Sequence, residues 1–124
     1  MAHLFVSSED SRSFYPDNNS YDFTIELVNP IHGRSRLALC EIDYAPSGDD
    51  LYVFCDACSQ TQVMDRLLPL LRIVDTPGEF STLYFRTITR PLVQRLRVYI
   101  RNRDMEIPTA DIGRVRCTLL IETI

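Results

Sequence analysis

At 124 residues the chain is long enough to bury one apolar core and too short for two domains. Its 45% hydrophobic and 24% charged content excludes a disordered tail. The net charge of -4 and the pI of about 5.1 argue against a dedicated nucleic-acid-binding protein, which carries a basic surface. We therefore expect a single domain spanning residues 1–124.

Alternation of apolar and polar residues predicts short strands, the first at residues 3–7. The second strand covers residues 21–27, and Asn29 and Pro30 are expected to end it because proline cannot donate to a ladder. Further strands are predicted at residues 36–44, 51–56, 68–74 and 82–88, with residues 60–67 left for a helical turn. The clearest alternation comes last, at residues 95–103 and 114–122.

Eight short strands predict an all-β protein, and an eight-stranded antiparallel jelly-roll sandwich is the arrangement that we expect. An immunoglobulin-type sandwich is the alternative, weakened because the chain contains no Trp for the core position typical of that fold. The expected core residues on the inner faces are Phe23, Ile25, Leu27, Leu96, Val98, Ile100, Val115, Cys117, Leu119 and Ile121.

Two predicted strands are apolar on both faces. Leu37 and Leu39 point one way while Ala38, Cys40 and Ile42 point the other, and residues 51–54 behave similarly. A sandwich on its own leaves one face of each strand polar, so a doubly apolar strand indicates a second buried surface, such as a subunit interface. Alternatively, the chain's own turns or residues 67–71 cover the second apolar face of these strands.

The charges are distributed unevenly along the chain. Residues 1–65 contain eleven acidic residues and three arginines, a balance of -8, whereas residues 66–124 contain six acidic residues and ten arginines, a balance of +4. All thirteen basic residues are arginine, a residue enriched at protein interfaces. Arg95, Arg97, Tyr99, Arg101 and Arg103 form a row on one strand face. We expect the row to meet acidic residues of a neighbouring strand or subunit, such as residues 49–50 or 9–10.

Catalytic and metal-binding patterns are weak. The sequence has no nucleophile elbow and no phosphate-binding glycine loop, so we expect no enzyme, no catalytic residues and no cofactor. Cys55 and Cys58 have the spacing of half a zinc site, but Cys40 and Cys117 do not form a second close pair. We therefore expect no metal site and interpret the four cysteines as reduced, mostly buried thiols.

The N-terminal ten residues contain no basic region and only a three-residue apolar run at residues 4–6. Such a segment predicts neither a signal peptide nor a membrane anchor. We expect synthesis inside a cell, in the cytoplasm or nucleus, without secretion by a signal peptide and without membrane binding.

Several segments, in order along the chain, resemble small jelly-roll virion proteins. The segments that carry this resemblance are residues 14–27, 37–44, 51–56, 69–74 and 113–119. We associate this pattern with adintovirus-like, Polinton-like and other large DNA viruses of animals. The resemblance implies a structural virion protein, a minor capsid, penton-like or fibre-head-like subunit without an active site.

The resulting hypothesis is a homo-oligomer, trimer or pentamer, that assembles in the virion with other capsid proteins. The residues predicted to contribute to its subunit interface are Leu37, Leu39, Arg95, Arg97, Tyr99 and Arg101. Two alternatives remain open: a recognition domain like a receptor-binding fibre head or trimeric ligand, and a nucleic-acid-binding accessory protein whose affinity falls steeply with salt.

Overall fold

Apolar side chains recur at every second position of the long strands, and this pattern places one face of each strand in a shared core. The computed structural model describes residues 2–124. Its strands are β1 (Ala2–Ser7), β2 (Asp22–His32), β3 (Ser35–Asp43), β4 (Leu51–Cys55), β5 (Thr61–Val63), β6 (Arg66–Leu68), β7 (Leu70–Val74), β8 (Gly78–Glu79), β9 (Arg86–Thr87), β10 (Leu92–Arg101) and β11 (Arg116–Thr123).

The strands form two antiparallel sheets that pack as a sandwich. The first sheet has the order β1-β11-β3-β8, and β9 also pairs with β3. The second sheet has the order β2-β10-β4-β7, and β5 and β6 form a separate hairpin. Side chains of both sheets meet in one cluster, so the predicted antiparallel all-β sandwich is confirmed. Residues 2–124 contain no helix, and thus none that could span a membrane.

The predicted core residues all lie in this cluster. Eight of them are buried, and Leu27 and Ile121 pack against the cluster as partly buried side chains. The sequence identified these positions because each of their strands keeps strict alternation across the inner face.

The end of β2 differs from the prediction. Asn29 and Pro30 do not end the strand, which continues to His32. β2 is an edge strand whose register against β10 shifts between Val93 and Arg95. An edge strand and a bulge both tolerate proline, because its missing N–H leaves no neighbour unpaired.

The prediction of a helical turn at residues 60–67 is wrong. Residues 61–68 form the β5–β6 hairpin, whose turn contains Met64 at a positive φ of 56°. Residues 82–88 also form less strand than predicted, because only β9 (Arg86–Thr87) is a strand there. A further short strand, β8 (Gly78–Glu79), lies before this range. The described residues therefore contain eleven strands where the sequence predicts eight.

The hairpin explains why β4 is apolar on both faces. Phe54, on the outer face of the second sheet, is fully buried in a second cluster with Val63 of the hairpin and Leu70. Leu68 and Tyr52 pack against the same cluster. The second apolar face of β4 is therefore buried by residues of the same chain, which is one of the two alternatives that the sequence left open.

In β3 a bulge changes which side chains face the core. Leu39 pairs with Leu119, whereas Glu41 pairs with Thr118, so Cys40 is an extra residue in the ladder. The extra residue reverses the alternation, and Ile42 joins Leu37 and Leu39 in the core instead of pointing away from them as predicted.

Replacing Phe54 by alanine tests the hairpin cover. We expect Phe54→Ala to lower the free energy of unfolding by about 3–5 kcal/mol, the usual cost of removing a buried aromatic ring. Phe14→Ala is the matched control, because Phe14 is 67% exposed and its loss should change stability by less than about 0.5 kcal/mol. Urea denaturation measures both, and equal effects would contradict burial of Phe54.

Candidate interaction surface

The arginine row lies on the outer face of the second sheet. β10 is paired on one side with β2 and on the other with β4. This placement directs Leu96, Val98 and Ile100 into the core and leaves the alternating side chains outside. Arg95 and Arg97 are exposed, whereas Tyr99 and Arg101 are half-buried. Arg103 lies beyond the end of the strand.

Arg97 is held by an ion pair with the neighbouring strand. Its Nε and Nη2 donate to Oδ1 and Oδ2 of Asp22 at 2.9 and 2.7 Å, and this bidentate contact raises the pKa of Arg97. Its backbone N–H donates to Asp56 Oδ1 at 3.0 Å. The sequence correctly indicated an acidic partner on a neighbouring strand. The partner of this arginine is Asp22, however, and not residues 49–50 or 9–10.

Tyr99 anchors the centre of the row. Its ring stacks on Phe54 with centroids 4.9 Å apart, and burial raises the pKa of its hydroxyl. The guanidinium groups of Arg97 and Arg101 lie 4.7 and 5.2 Å from the centre of the Tyr99 ring. The row is therefore built around one aromatic ring that contacts two guanidinium groups.

Arg95 is the exposed end of the row. It lies beside Tyr15, whose hydroxyl donates to Glu26 Oε2 at 2.6 Å. That hydrogen bond raises the pKa of Tyr15, and the positive charge of Arg95 partly opposes the increase. Arg95 is exposed, lies opposite Glu26 of β2 in the ladder, and forms no ion pair within residues 2–124.

The two leucines predicted at the subunit interface lie elsewhere. Leu37 and Leu39 are 0% and 1% exposed and belong to the core between the two sheets. Their side chains have no surface to offer a second subunit, so the structure does not bring them together with the arginine row.

Three of the four cysteines lie in the core. Cys55, Cys58 and Cys117 are buried, Cys40 is partly exposed, and all four are free thiols in the structure. The Cys58 N–H donates to the Cys55 carbonyl oxygen at 3.1 Å, so the two-residue spacing closes a turn after β4. A hydrogen bond with Cys55 and burial raise the pKa of Cys58, and burial raises the pKa of Cys117 to about 12. These thiols pack as small apolar side chains.

A groove that the sequence did not predict runs along one side of the sandwich. It has a volume of about 590 Å³ and is lined mainly by β1 and β2, the edge strands of the two sheets. Phe5 and Val28 line it and are 75% and 95% exposed. The apolar run at residues 4–6 is the only sequence signal for this groove, because pairing order between distant strands decides which strand lies at an edge.

Comparison of the chain with models of known protein families, with curated proteins and with solved structures finds no match.

A double-mutant cycle tests how firmly Asp22 holds Arg97. The two side chains are 46% and 35% exposed, so we expect Arg97→Ala and Asp22→Ala to show a coupling energy between about 0.2 and 1 kcal/mol in urea denaturation. The control cycle pairs Arg95→Ala with Asp22→Ala and should show no coupling. A coupling of zero in the first cycle would mean that the ion pair does not hold the row in solution.

Alkaline denaturation tests the burial of Cys117. Because its pKa is about 12 when folded and 9.0 ordinarily, the folded state keeps the proton that the unfolded state loses. The stability contribution is complete below pH 9.0 and is lost as the pH rises toward 12. Between about pH 10 and 11, where the thiol is ionised in the unfolded state and protonated in the folded state, it should lower the free energy of unfolding by about 1.4 kcal/mol per pH unit. Cys117→Ala should reduce the slope by that amount, and an unchanged slope would contradict the raised pKa.

Proposed function

We propose that the chain is a jelly-roll structural protein of a virion, and the observation that carries this proposal is the order of the strands. Successive long strands alternate between the two sheets, except that β4 and β7 are neighbours in the second sheet. If β8 and β9 are counted as one interrupted strand and the β5–β6 hairpin is left out, eight strands remain. Numbered one to eight along the chain, they have the order one, eight, three, six in the first sheet and two, seven, four, five in the second. Two four-stranded sheets wound in this way match the double Greek key of a jelly roll.

In this proposal the protein assembles with copies of itself and with other capsid proteins, and it catalyses no reaction. The resemblance to jelly-roll proteins of animal DNA viruses supports the virion assignment. A jelly roll serves many functions, so the assembly part of the proposal depends on the surface. That surface contains the arginine and tyrosine row, and it leaves Phe5 and Val28 largely exposed.

We propose the outer face of β10 as one subunit contact, formed by Arg95, Arg97, Tyr99 and Arg101. Asp22 and Phe54 already hold Arg97 and Tyr99 in place, so little side-chain freedom is lost when a partner binds. Arg95 forms no ion pair within residues 2–124, and its guanidinium group binds a carboxylate of the partner in bidentate geometry. The acidic first half of the chain, with its balance of -8, supplies such carboxylates on a neighbouring copy.

The mass of the protein in solution tests self-assembly. We expect light scattering coupled to size-exclusion chromatography to give a multiple of 14.3 kDa at micromolar concentration. A monomer under these conditions would contradict the proposal. Arg95→Glu should raise the dissociation constant of the oligomer at least about tenfold, because it places like charges across the contact.

Arg34→Glu is the matched control for this contact. Arg34 is an exposed residue in the turn after β2, so the variant changes the net charge by the same amount away from the row. An equal loss of assembly in both variants would show that net charge acts instead of the arginine row. Melting temperatures close to that of the unmodified chain would establish that both variants fold.

A further inference from the structure

The two sides of the sandwich are closed to different degrees. On one side, residues 80–84 pack against β7. The Arg72 guanidinium lies 3.7 Å from the centre of the Phe80 ring and 4.5 Å from the centre of the Tyr84 ring. It also donates to the Thr82 carbonyl oxygen at 2.6 Å. On the other side, β1 and β2 border the groove of about 590 Å³. Within residues 2–124, β1 pairs only with β11, so its second edge is open.

β1 lacks the charged residues, proline and bulges that usually protect an edge strand. Natural edge strands avoid pairing with other molecules through charged residues, proline or bulges. β1 contains no charged residue, proline or glycine, and its register against β11 is regular along all six residues. Phe5, at the outer face of the strand, is 75% exposed. The strand is therefore able to accept another strand.

Hydrogen-bond directions define which backbone groups are open. Ser8 N–H donates to the Val115 carbonyl oxygen at 2.8 Å. Because alternate residues of an antiparallel strand face the same neighbour, Val6 and Leu4 also bond toward β11, whereas His3, Phe5 and Ser7 face outward.

Asp10 limits this open stretch. Its Oδ2 accepts the Ser7 N–H at 2.9 Å, and its own N–H donates to the Ser7 carbonyl oxygen at 3.0 Å. The outward groups of Ser7 are thus satisfied within the chain. His3 and Phe5 keep the outward N–H and C=O groups that an added strand would bond.

We propose that β1 pairs antiparallel with β1 of a second copy about a twofold axis at Leu4. In this register His3 lies opposite Phe5 of the second copy, and the two residues exchange both backbone hydrogen bonds. The twofold axis repeats this exchange between Phe5 of the first copy and His3 of the second copy. Leu4 then lies opposite Leu4 of the second copy. The open groups of one strand therefore match those of the other.

The side chains favour a second copy as the partner. His3 and Phe5 share the outer face and stack with ring centroids 6.4 Å apart, and pairing adds the same two rings from the second strand. No like charges meet, because β1 is uncharged. A pair of β2 strands, by contrast, would bring together Asp22 and Glu26 of both copies. The β1 contact rests on the proposed self-assembly and adds to the arginine row.

Amide hydrogen exchange and mass measurement on the full chain test the β1 contact. The His3 and Phe5 amides should be protected at high protein concentration and lose protection on dilution. Phe5→Lys places a charge on the edge, and Phe5→Pro removes an outward N–H without touching the bonds to β11. Both variants should raise the dissociation constant of the β1 contact at least tenfold and abolish protection of His3.

Phe14→Lys is the control, since it makes the same substitution at a phenylalanine that is 67% exposed and lies outside the groove. It should leave assembly and protection unchanged, and equal effects of Phe14→Lys and Phe5→Lys would overturn the β1 contact. An oligomer with unprotected His3 and Phe5 amides would also overturn it while leaving the proposed function intact. A monomer at every concentration would contradict both the β1 contact and the proposed function. Protection that arises only with a different protein would identify another partner and exclude the second copy.

Discussion

The packing of two apolar sheet faces against each other determines how the rest of this protein is arranged. Phe23, Leu96 and Ile100 of the second sheet share one core with Leu37 and Leu119 of the first. Burial of such side chains is the dominant favourable term in folding. Because side chains alternate along a strand, every residue committed to the core directs its neighbours outward. The arginine row on β10 is thus a consequence of the same burial that stabilises the sandwich.

Much of the fold could be predicted from period-two alternation. β2, β10 and β11 alternate over long stretches, and their inner residues form the core as expected. The errors occur where local geometry interrupts alternation. Cys40 adds a residue to β3 and brings Ile42 inward, and Pro30 sits within an edge strand beside a register shift. Bulges and edges depend on the partner strand, which a single sequence does not identify.

The candidate surface was predictable only in part. Alternation placed Arg95, Arg97, Tyr99 and Arg101 on one face, because all four follow a regular strand. The ion pair with Asp22 could not be read from the sequence, since it joins residues 75 positions apart. The assignment of Leu37 and Leu39 to an interface assumed that a doubly apolar strand needs a second molecule. In β4 the chain's own hairpin supplies the cover, and in β3 the bulge redirects Ile42.

Asp10 has a consequence for how far this protein can associate. A strand edge that stays free on both partners can recruit further chains and grow into a fibre. Here the side chain and backbone of Asp10 occupy the groups of Ser7, so the available stretch is short and centred on Leu4. A symmetric pair formed on that stretch consumes the free edge of both molecules at once. In the proposed pair, Asp10 shortens the stretch that can form hydrogen bonds, and the twofold symmetry closes the contact instead of extending it into open-ended stacking.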